Sequence, residues 1–565
     1  MEEHNIAADV LIVGCGPSGM WTAKRIKEKK PDADVLLVDK GPDLWGGLMT
    51  LSGGDFEAVF PEEKVESWIQ DLIWYWDGLC DQEEMKDIFA DSYARMKDYQ
   101  DMDYEFLKNE QGEYMPVPQR SMEHCRLYPC KEKGTGGQIM AKAMVREMLR
   151  LQVRHMCRTQ ITELVKVDGR VIGAVGFDSI TGCFLTFQAK AVVIACGNSS
   201  WKPGYNGNTS TGEWVKMCFG AGAKMRNFES LTVMNAPKLF FWEGQGIYLA
   251  LGARFVNAKG EPFMDRYSPV FGANTDNNFI TRAMTMEMKA GRGPIYFDLS
   301  QLPEEAMIHV RPQTGNQIMN HNKLKAQGIN FLEDKDIEFI PQVQLALGGV
   351  VTDKTGFTGV DGLYVVGRAR SLDYIYLCGF GLCSTSVTGH KAGEALADRL
   401  DSWSLEPLPG DQVQALKERL YAPMGKGTLK PKDVWRKLNT LISYYDVCIL
   451  KSEESLNAAL AELDRIERED LPQMGAADPH YLLKYKEVEG IITLTRLYLE
   501  ASKTRKESRG AHYRTDYPRR NDEEYLGWVC QKRADDGSVE NFIEPVPAGA
   551  IPLPESFYSD NFKFL

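Results

Sequence analysis

Three glycines near the start of the sequence have the type and spacing that a phosphate-binding turn requires. Gly14, Gly16 and Gly19 follow an apolar run at residues 10–13 and precede a helix-like segment at residues 20–29. In such a strand–turn–helix unit, the first glycine permits the tight turn, the second lets the backbone approach a pyrophosphate, and the third lets the helix pack on the strand. Since the N–H groups at the start of the helix then face the phosphates, the spacing predicts a dinucleotide site.

An acidic residue stands where such a site needs a partner for a ribose. A second apolar run at residues 35–38 ends at Asp39, which comes 20 residues after Gly19. We expect its carboxylate to accept hydrogen bonds from ribose hydroxyls. The other residues of these two turns that join the predicted site are Pro17, Ser18 and Lys40.

Two later segments decide between FAD and NAD. A buried strand ends at Ala195 and is followed by Cys196 and Gly197, and a second apolar segment ends at Gly367 and Arg368. Flavoproteins use such distant segments to bring the chain back to FAD, whereas an ordinary NAD-binding lobe has no need of them. The sequence therefore predicts FAD.

Composition narrows the class of protein. The 565 residues carry a formal net charge of −13, which disfavours a nucleic-acid partner bound through phosphates. No apolar run approaches the roughly 20 residues that cross a bilayer, and the first residues lack the pattern of a signal peptide. Twelve cysteines occur without any Cys-x-x-Cys spacing. We therefore expect a cytoplasmic protein with no direct membrane insertion, no metal site and no iron–sulfur cluster of its own.

Six further motifs follow the dinucleotide site in a fixed order. They are Gly53-Gly54, Thr211-Gly212-Glu213, Gly260-Glu-Pro-Phe-Met-Asp-Arg-Tyr267, Gly291-Arg-Gly-Pro-Ile-Tyr-Phe-Asp298, Gly348-Gly349-Val350 and Glu507-Ser-Arg-Gly-Ala-His512. With them, the chain resembles the flavoprotein subunits of the succinate dehydrogenase/fumarate reductase superfamily. That superfamily also contains L-aspartate oxidase and the adenylylsulfate reductase α subunit.

The resemblance implies an α/β fold class. A Rossmann-like FAD-binding domain is expected at residues 1–230 and 346–405, with an α+β capping domain inserted at residues 231–345. A helical C-terminal domain with an extended tail follows at residues 406–565, with amphipathic helices predicted around residues 452–468 and 485–506.

The resemblance also extends the predicted FAD site. The added residues are Gly46, Gly47, Gly53, Gly54, Thr211, Glu213, Gly381, Leu382 and Cys383. The FAD is expected to be non-covalent, because the loop at residues 44–50 has no histidine for a flavin–His bond. Arg368 replaces the family's acidic residue, which puts the usual ribose contact in doubt and raises the alternative of a phosphate contact.

The pattern departs from the family where the substrate binds. Succinate and fumarate enzymes use two histidines and several arginines to hold a dianion. Here no histidine lies between His155 and His309, the catalytic arginine falls at Asn277, the second histidine falls at Gln344, and another arginine falls at Tyr376. A C4-dicarboxylate substrate is therefore not expected. The aromatic residues that remain, favouring a larger, flatter or less charged substrate, are Phe240, Phe241, Trp242, Tyr248, Tyr374, Tyr376 and Phe380.

The candidates for proton transfer are Glu243, Arg282 and Tyr376. The alternative role for Glu243 is buried and structural, and the alternative for Arg282 is a salt bridge within its helix. His390 and Lys391 are predicted to begin a helix whose N-terminus faces the flavin, with a solvent-facing position as the alternative for His390.

These observations predict an FAD-dependent oxidoreductase that acts on a small-molecule substrate other than a C4 dicarboxylate. The family resemblance adds a homo- or hetero-oligomer with a ferredoxin-like iron–sulfur partner subunit. Two alternatives stay open: an electron-transfer flavoprotein subunit with a vestigial cavity, and a fumarate reductase, succinate dehydrogenase or aspartate oxidase proper. An FAD-dependent RNA-modifying protein is disfavoured by the acidic charge.

Overall fold

The computed structural model describes residues 2–42, 44–132, 135–202, 208–239, 246–302, 325–326, 328–329, 334 and 336–564. The strands are β1 Glu3–Val13, β2 Val35–Val38, β3 Phe56–Glu57, β4 Val117–Pro118, β5 Arg126–Tyr128, β6 Arg154–Met156, β7 Thr159–Val167, β8 Arg170–Asp178, β9 Phe184–Ile194, β10 Met225–Arg226, β11 Leu231–Pro237, β12 Arg254–Val256, β13 Ile295–Asp298, β14 Glu338–Ala346, β15 Gly349–Val350, β16 Leu363–Val365, β17 Gly527–Arg533 and β18 Val539–Pro545.

Helices alternate with these strands in the first half of the chain and predominate after β16. The α-helices are α1 Pro17–Lys29, α2 Val65–Tyr75, α3 Gln82–Asp101, α4 Gly136–Arg150, α5 Glu213–Ala221, α6 Gly246–Ala250, α7 Met264–Tyr267, α8 Asn277–Glu287, α9 Phe380–Arg399, α10 Gly410–Tyr421, α11 Pro431–Ser443, α12 Tyr445–Cys448, α13 Glu453–Arg465, α14 Pro479–Thr504 and α15 Asp522–Tyr525.

The central sheet brings the carboxyl ends of its parallel strands to one edge. Its order is β6-β2-β1-β9-β8-β7, with β16 pairing on the second half of β9. β2 and β9 flank β1 in parallel register, and β16 runs parallel to β9. In such a sheet, ligands bind outside the carboxyl ends of the strands, so the turns after β1, β2, β9 and β16 share one position.

Helices α1 and α9 pack closely beneath this edge because glycine replaces larger residues between them. A methyl group on Gly389 would lie 2.4 Å from the Ser18 carbonyl oxygen, and one on Gly393 would lie 2.5 Å from the Thr22 carbonyl oxygen. The Thr22 hydroxyl donates to the Gly389 carbonyl at 3.1 Å. This contact fixes where α9 begins relative to the turn after β1.

A second sheet, of order β11-β14-β13-β12, carries α8 and has its own apolar core. Phe255, Phe297 and Phe339 form its centre and are almost fully buried. Strands with a helix packed on them match the predicted α+β character of this part of the chain. The domain boundaries themselves stay a prediction.

The C-terminal part holds helices where they are predicted. The predicted helices around residues 452–468 and 485–506 are observed as α13 and α14. A hairpin, β17–β18, is an addition that the sequence analysis did not anticipate, and it joins β10 and β15 in a third sheet. Its turn at Asp535-Asp536-Gly537 was the available signal.

The length and apolar content of each helix determine whether it could cross a membrane. Throughout the described ranges, no helix is both long enough and apolar enough to cross a bilayer.

Candidate functional site

The turn after β1 is shaped by three glycines, each for a different reason. Gly14 has φ +109°, and a methyl group on it would lie 2.5 Å from the Ala195 carbonyl oxygen. A methyl group on Gly19 would lie 2.1 Å from the Gly14 carbonyl oxygen. Gly16 differs, since a methyl group there would meet no protein atom within 4 Å. Gly14 and Gly19 therefore serve the packing of the turn, while Gly16 leaves its outer surface open for a ligand.

Asp39 holds this turn in place. Its carboxylate accepts from the Cys15 N–H at 2.8 Å and from the Gly41 N–H at 2.6 Å. Pro17 is the first residue of α1, where a missing N–H costs nothing, and Ser18 follows it, buried. The predicted residues around the turn are thus brought together, and the contact of Asp39 with a ribose stays a prediction.

The ends of β9 and β16 meet the same turn. The Ala195 N–H donates to the Val13 carbonyl at 2.8 Å, just before Cys196. Gly197 has φ +73° and open space where a side chain would be. Gly367 has φ +64°, and a methyl group on it would lie 2.5 Å from the Ser18 hydroxyl oxygen. We call this set the nucleotide cradle; its residues are Gly14, Gly16, Pro17, Ser18, Gly19, Asp39, Ala195, Cys196, Gly197 and Gly367.

Arg368 is engaged inside the protein. Its Nη2 donates to both carboxylate oxygens of Asp373, at 2.7 and 2.6 Å, and both side chains are buried. Its Nε donates to the Asn198 side-chain oxygen at 3.4 Å. The guanidinium therefore has an internal anion as its partner, and these contacts do not support the phosphate contact raised from the sequence.

The glycines at residues 46–54, which are predicted to lie near the flavin, also differ in whether they leave open space or permit close packing. Gly46 and Gly47 have open space around their Cα atoms. Gly54 has φ +84°, and a methyl group on it would lie 2.3 Å from the Tyr104 hydroxyl oxygen, so the Gly53–Gly54 pair is needed for packing near the start of α4.

The first turn of α9 contains the predicted residues Gly381, Leu382 and Cys383, and Gly381 is open on its outer side. The prediction that a helix begins at His390 is wrong, because α9 begins at Phe380 and His390 lies in its middle. His390 is half-buried against Trp21, so it does not face solvent fully. Burial and the nearby Arg95 lower its pKa to about 3, which makes it neutral at pH 7.

Lys40, Thr211 and Glu213 contact one another. The Lys40 ammonium donates to the Thr211 hydroxyl and to the Glu213 carboxylate, both at 2.8 Å, and to Glu487 at 3.3 Å. Burial opposes its charge, yet the carboxylates of Glu213 and Glu487 raise its pKa above the usual value. Glu487 belongs to α14, so this cluster fastens the C-terminal region beside the nucleotide cradle. Direct contact of these residues with FAD stays a prediction.

Neutral polar side chains from β11, α8 and β14 lie together on the second sheet, which the segment after β9 reaches. The Asn235 amide donates to the Asn277 side-chain oxygen at 2.9 Å, and the Asn278 side-chain oxygen accepts from the Val233 N–H at 2.9 Å. The segment after β9 reaches this sheet, since the Ser200 hydroxyl donates to the Gln344 carbonyl at 2.7 Å. We call this surface the capping face; its residues are Thr232, Asn235, Asn277, Asn278 and Gln344.

Four buried polar atoms in this area have no hydrogen-bond partner within the described part of the chain. They are the hydroxyl oxygens of Ser199 and Thr232, the side-chain nitrogen Nδ2 of Asn278 and the side-chain oxygen Oε1 of Gln344. Buried polar groups in proteins nearly always have a partner. These four atoms lie on the capping face and on the segment after β9 that reaches it.

Arg282 lies in an enclosed position on α8. Its Nη2 donates to the Gly510 carbonyl at 2.9 Å, and its guanidinium lies 4.8 Å from the Phe279 ring centre and 4.5 Å from the Tyr513 ring centre. Burial lowers its pKa to about 10. It therefore anchors the capping helix to the C-terminal region through a carbonyl and aromatic rings. The proposed salt bridge within the helix is not seen among the described residues, and a role in proton transfer stays a prediction.

The structure shows fewer contacts for Tyr376 and describes none for Glu243, the other two candidates for proton transfer. Tyr376 is half-buried and follows Ile375, whose carbonyl accepts from the Trp76 ring N–H at 2.9 Å. Glu243 lies outside the described residues, as do Phe240, Phe241 and Trp242.

Sequence reasoning missed two adjacent residues, Gln119 and Arg120. The Gln119 amide donates to the Glu57 carboxyl at 2.6 Å and to the Cys378 carbonyl at 2.5 Å, and so joins β3 to the segment before α9. The Arg120 Nη1 donates to the Thr275 carbonyl at 3.0 Å, just before α8. Their loop, Pro-Val-Pro-Gln-Arg-Ser, matches no motif, so only the fold could reveal their position.

The arrangement fits FAD on the evidence of open backbone. Gly16, Gly47, Gly197 and Gly381 come from four separate segments, and each has open space where a side chain would lie. Glycines of this kind let a pyrophosphate or flavin approach the main chain.

Comparison with known proteins agrees with this geometry. The family described as "FAD binding domain" matches residues 9–382, and the family described as "Fumarate reductase flavoprotein C-term" matches residues 436–557. A fumarate reductase (CoM/CoB) subunit of Methanothermobacter marburgensis is 25% identical over 92% of this chain and 96% of its own length. L-aspartate oxidase of Yersinia pestis is 26% identical over 90% of this chain and 96% of its own.

Solved structures show the same fold. The FrdA subunit of Escherichia coli quinol fumarate reductase, in a mutant form, superposes with a TM-score of 0.88 at 20% identity, covering 98% of this chain and 99% of that one. Adenylylsulfate reductase from Archaeoglobus fulgidus gives a TM-score of 0.76 at 20% identity, covering 97% and 98%. The predicted fold class and FAD cofactor are confirmed, and the protein is an FAD-dependent oxidoreductase. The chain belongs to the succinate dehydrogenase/fumarate reductase flavoprotein superfamily.

Proposed function

We propose that this oxidoreductase acts on a substrate other than a C4 dicarboxylate and exchanges electrons with a separate iron–sulfur subunit. The observation that supports the substrate class is the capping face, whose side chains are amides and a hydroxyl. A C4 dicarboxylate carries two negative charges, and burying them without paired cations costs several kcal/mol per ion, on the order of the binding energy itself. Neutral donors and acceptors suit a substrate with fewer charges.

The capping face offers specific contacts to such a substrate. Asn277 is the first residue of α8 and is half-buried. In the family pattern, the catalytic arginine is expected at this position. Thr232 and Gln344 add buried oxygens that have no other partner among the described residues. An amide and a hydroxyl can each donate and accept, and the face can therefore orient carbonyl, hydroxyl or amide groups of a substrate.

The cofactor is proposed to be held without a covalent bond. When bound, FAD supplies hydride exchange at the flavin ring. The nucleotide cradle would hold its pyrophosphate, with Asp39 as the partner proposed for the ribose. The loops containing Gly47 and Gly381 would face the flavin. The loop at residues 44–50 contains no histidine, so shape and hydrogen bonds are left to retain the cofactor.

The electron partner is proposed from the relatives and from the cysteines. The M. marburgensis relative is named as a subunit of a larger enzyme, and so is the fumarate reductase flavoprotein of Wolinella succinogenes. In this chain, burial raises the pKa of Cys15, Cys80 and Cys125 above the usual value. Protonated buried thiols are poor cluster ligands, because the thiolate is the form that binds metal. A separate subunit is therefore the proposed source or acceptor of electrons.

Anaerobic reoxidation tests both parts of the proposal. The FAD of the purified holoenzyme is photoreduced, and its absorbance is followed after adding fumarate, or after adding the iron–sulfur subunit copurified from the native source. We expect no reoxidation by fumarate and rapid reoxidation by the oxidised iron–sulfur subunit. Rapid reoxidation by fumarate would contradict the substrate class, and a redox-inactive iron–sulfur subunit would contradict the partner.

A further inference from the structure

Arg120 brings a positive charge to the N-terminal end of α8 from a part of the chain that has no known motif. It lies in the loop between β4 and β5, and its Nη1 donates to the Thr275 carbonyl at 3.0 Å. A methyl group on Gly246 would lie 1.7 Å from its Nη2. The guanidinium therefore rests against two separate segments of the capping region, one leading into α8 and one beginning α6.

The preceding residue fixes Arg120 relative to β3 and the segment before α9. Gln119 is 8% exposed and bonds to both Glu57 and the Cys378 carbonyl. Glu57 comes three residues after Gly54, and Cys378 comes three residues before Gly381. Because Gln119 joins these two segments, Arg120 stands where they meet the N-terminal end of α8.

Among the described residues, Arg120 uses only part of its hydrogen-bonding capacity. A guanidinium has five N–H donors, and Thr275 takes one. Within the ranges that the structure describes, Arg120 forms no ion pair, and its side chain is partly exposed. The charge of Arg120 acts on Asp276 and on Tyr75: burial raises the pKa of the carboxyl and of the hydroxyl, and Arg120 acts in the opposite direction on both.

Asp276 is already engaged elsewhere. Its carboxylate accepts from the Asn278 N–H at 2.8 Å and from the Tyr75 hydroxyl at 3.2 Å. The Asp276 N–H donates to the Tyr558 hydroxyl at 2.9 Å, and the Ser121 hydroxyl donates to the Asn274 carbonyl at 3.2 Å. The segment before α8 is thus held by Tyr75, Tyr558 and Ser121, independently of Arg120.

We propose that Arg120 contacts the substrate directly and that the site accepts a molecule with one carboxylate, whose uncharged remainder lies against the capping face. This inference rests on the proposed function. One guanidinium with free N–H donors matches one carboxylate, which it binds through two parallel hydrogen bonds. The capping face, being neutral, offers nothing to a second carboxylate and suits an uncharged remainder.

The test compares a charged probe with a neutral one of the same shape. Crotonate carries one carboxylate, crotonamide carries none, and fumarate carries two. Each is titrated into the FAD-loaded protein, and binding is read from the perturbation of the flavin absorbance. In the wild type we expect crotonate to bind more tightly than either of the others.

The Arg120→Ala variant should weaken crotonate binding about tenfold to a hundredfold and leave crotonamide binding unchanged. Arg120→Lys should retain part of the affinity, and added guanidinium should restore crotonate binding to Arg120→Ala. The matched control is Arg126→Ala, at the first residue of β5, where Arg126 pairs with Glu63 at 2.8 Å; it should bind crotonate as the wild type does.

Several results would overturn the inference. Unchanged crotonate binding in Arg120→Ala would remove Arg120 from the site, and equal weakening of crotonate and crotonamide would make it a structural link between domains. Absence of crotonate binding to the wild type would end the assignment of one carboxylate. Tighter binding of fumarate than of crotonate would instead contradict the proposed function, so the two failures are distinguishable.

Discussion

The nucleotide cradle and the capping face are joined by residues 198–200, yet they are built from different parts of the chain. In the cradle, the main chain forms the surface: Gly14 and Gly19 allow close approach, and Gly16 leaves open space. In the capping face, side chains form the surface, and they come from β11, α8 and β14. The cofactor site proposed for the cradle is thus specified by backbone shape, while the substrate site proposed for the capping face is specified by exchangeable side chains.

The strongest way to break the cradle is to fill its packing glycine. Gly14→Ala would place a methyl group 2.5 Å from the Ala195 carbonyl oxygen, at a φ of +109°. An overlap of this size costs on the order of 3 kcal/mol, so we expect FAD affinity to fall by roughly a hundredfold or more. The melting temperature of the apoprotein should fall as well. Flavin fluorescence and thermal unfolding measure the two effects.

Two further glycine variants separate packing from ligand contact. Gly16→Ala meets no protein atom within 4 Å, so apoprotein stability should stay within about 1 kcal/mol of the wild type while FAD affinity falls. Gly220→Ala, within α5, also meets no atom within 4 Å; it should leave FAD affinity unchanged and raise the free energy of unfolding by at most about 1 kcal/mol. Normal FAD affinity in Gly16→Ala would mean that the open side of this glycine does not face the cofactor.

The next largest effect concerns charge within the capping region. Glu287 ends α8, about 15 Å along the helix from Asn277. It is fully buried and accepts from the Arg292 Nε at 2.7 Å, the Arg266 Nη1 at 2.8 Å and the Tyr267 hydroxyl at 2.7 Å. Removing one member of a buried ion pair costs about 3–5 kcal/mol. We expect Glu287→Gln to lower the free energy of unfolding by about 3 kcal/mol in urea denaturation.

The pH dependence identifies the cause of that loss. Burial opposes ionisation of Glu287, but hydrogen bonds from Arg292 and Tyr267 lower its pKa to about 2. Because the folded pKa lies below the unfolded value, the carboxylate stabilises the protein fully above about pH 4.5 and loses that effect as the pH falls towards 2. The difference between wild type and Glu287→Gln should therefore shrink from pH 5 to pH 2.5. An equal difference at both pH values would show that charge is not the reason.

The two regions also differ in how far the sequence predicts them. The glycine spacing and the acid at Asp39 predicted which turns come together in the cradle, because a backbone requirement restricts the residue type at a fixed position. Arg120 could not be found in this way, since its position depends on contacts with Thr275 and Gly246 that lie more than a hundred residues away. The absence of histidine and the positions of Asn277 and Gln344 in the family pattern were read from the sequence, but the contact between Asn277 and Asn235 required the fold.

The same reason explains the errors in the fold. The helix expected at His390 begins at Phe380. Gly389 and Gly393 weaken helix propensity in this segment, but they are there for packing against α1. The hairpin β17–β18 was missed, although its turn contains Asp-Gly. For Arg282, a salt bridge within its helix was the alternative to a role in proton transfer, and the structure instead places its guanidinium against Gly510 and Tyr513 on the C-terminal side.

A smaller change should move the capping face towards the family pattern. Asn277→Arg places a guanidinium at the first residue of α8, where succinate and fumarate enzymes are expected to carry one. We expect fumarate to bind about tenfold more tightly, which corresponds to about 1.4 kcal/mol. The measurement is the flavin absorbance change on titration with fumarate. The Asn235 amide loses its contact with the Asn277 oxygen in this variant, so the melting temperature is measured alongside.

The matched control adds the same charge outside the face. Asn274→Arg lies three residues earlier on an exposed position of the same segment and should leave fumarate binding unchanged. If both variants strengthen fumarate binding equally, a general rise in positive potential is responsible, and the capping face loses its role in specificity.

The smallest expected effect on stability comes from the charge of an aspartate that follows the Gly53–Gly54 pair. Asp55 follows the Gly53–Gly54 pair, and burial raises its pKa from 3.8 to about 6. Because the folded pKa exceeds the unfolded value, ionisation opposes folding, and its cost grows as the pH rises from about 4 to about 6. We expect Asp55→Asn to stabilise the apoprotein by about 1 kcal/mol at pH 7, after allowance for partial exposure, and to have little effect at pH 4.5.

An exposed aspartate provides the control for this prediction. Asp32→Asn, at an exposed turn, should change the melting temperature equally little at both pH values. If Asp55→Asn is instead destabilising at pH 7, the carboxylate of Asp55 makes a contact that stabilises the protein by more than its burial costs. The cradle would then depend on a side chain, as the capping face does. Stabilisation confined to pH 7 would show that the charge of Asp55 is kept at the expense of stability, as expected of a group retained for its place beside the flavin loops.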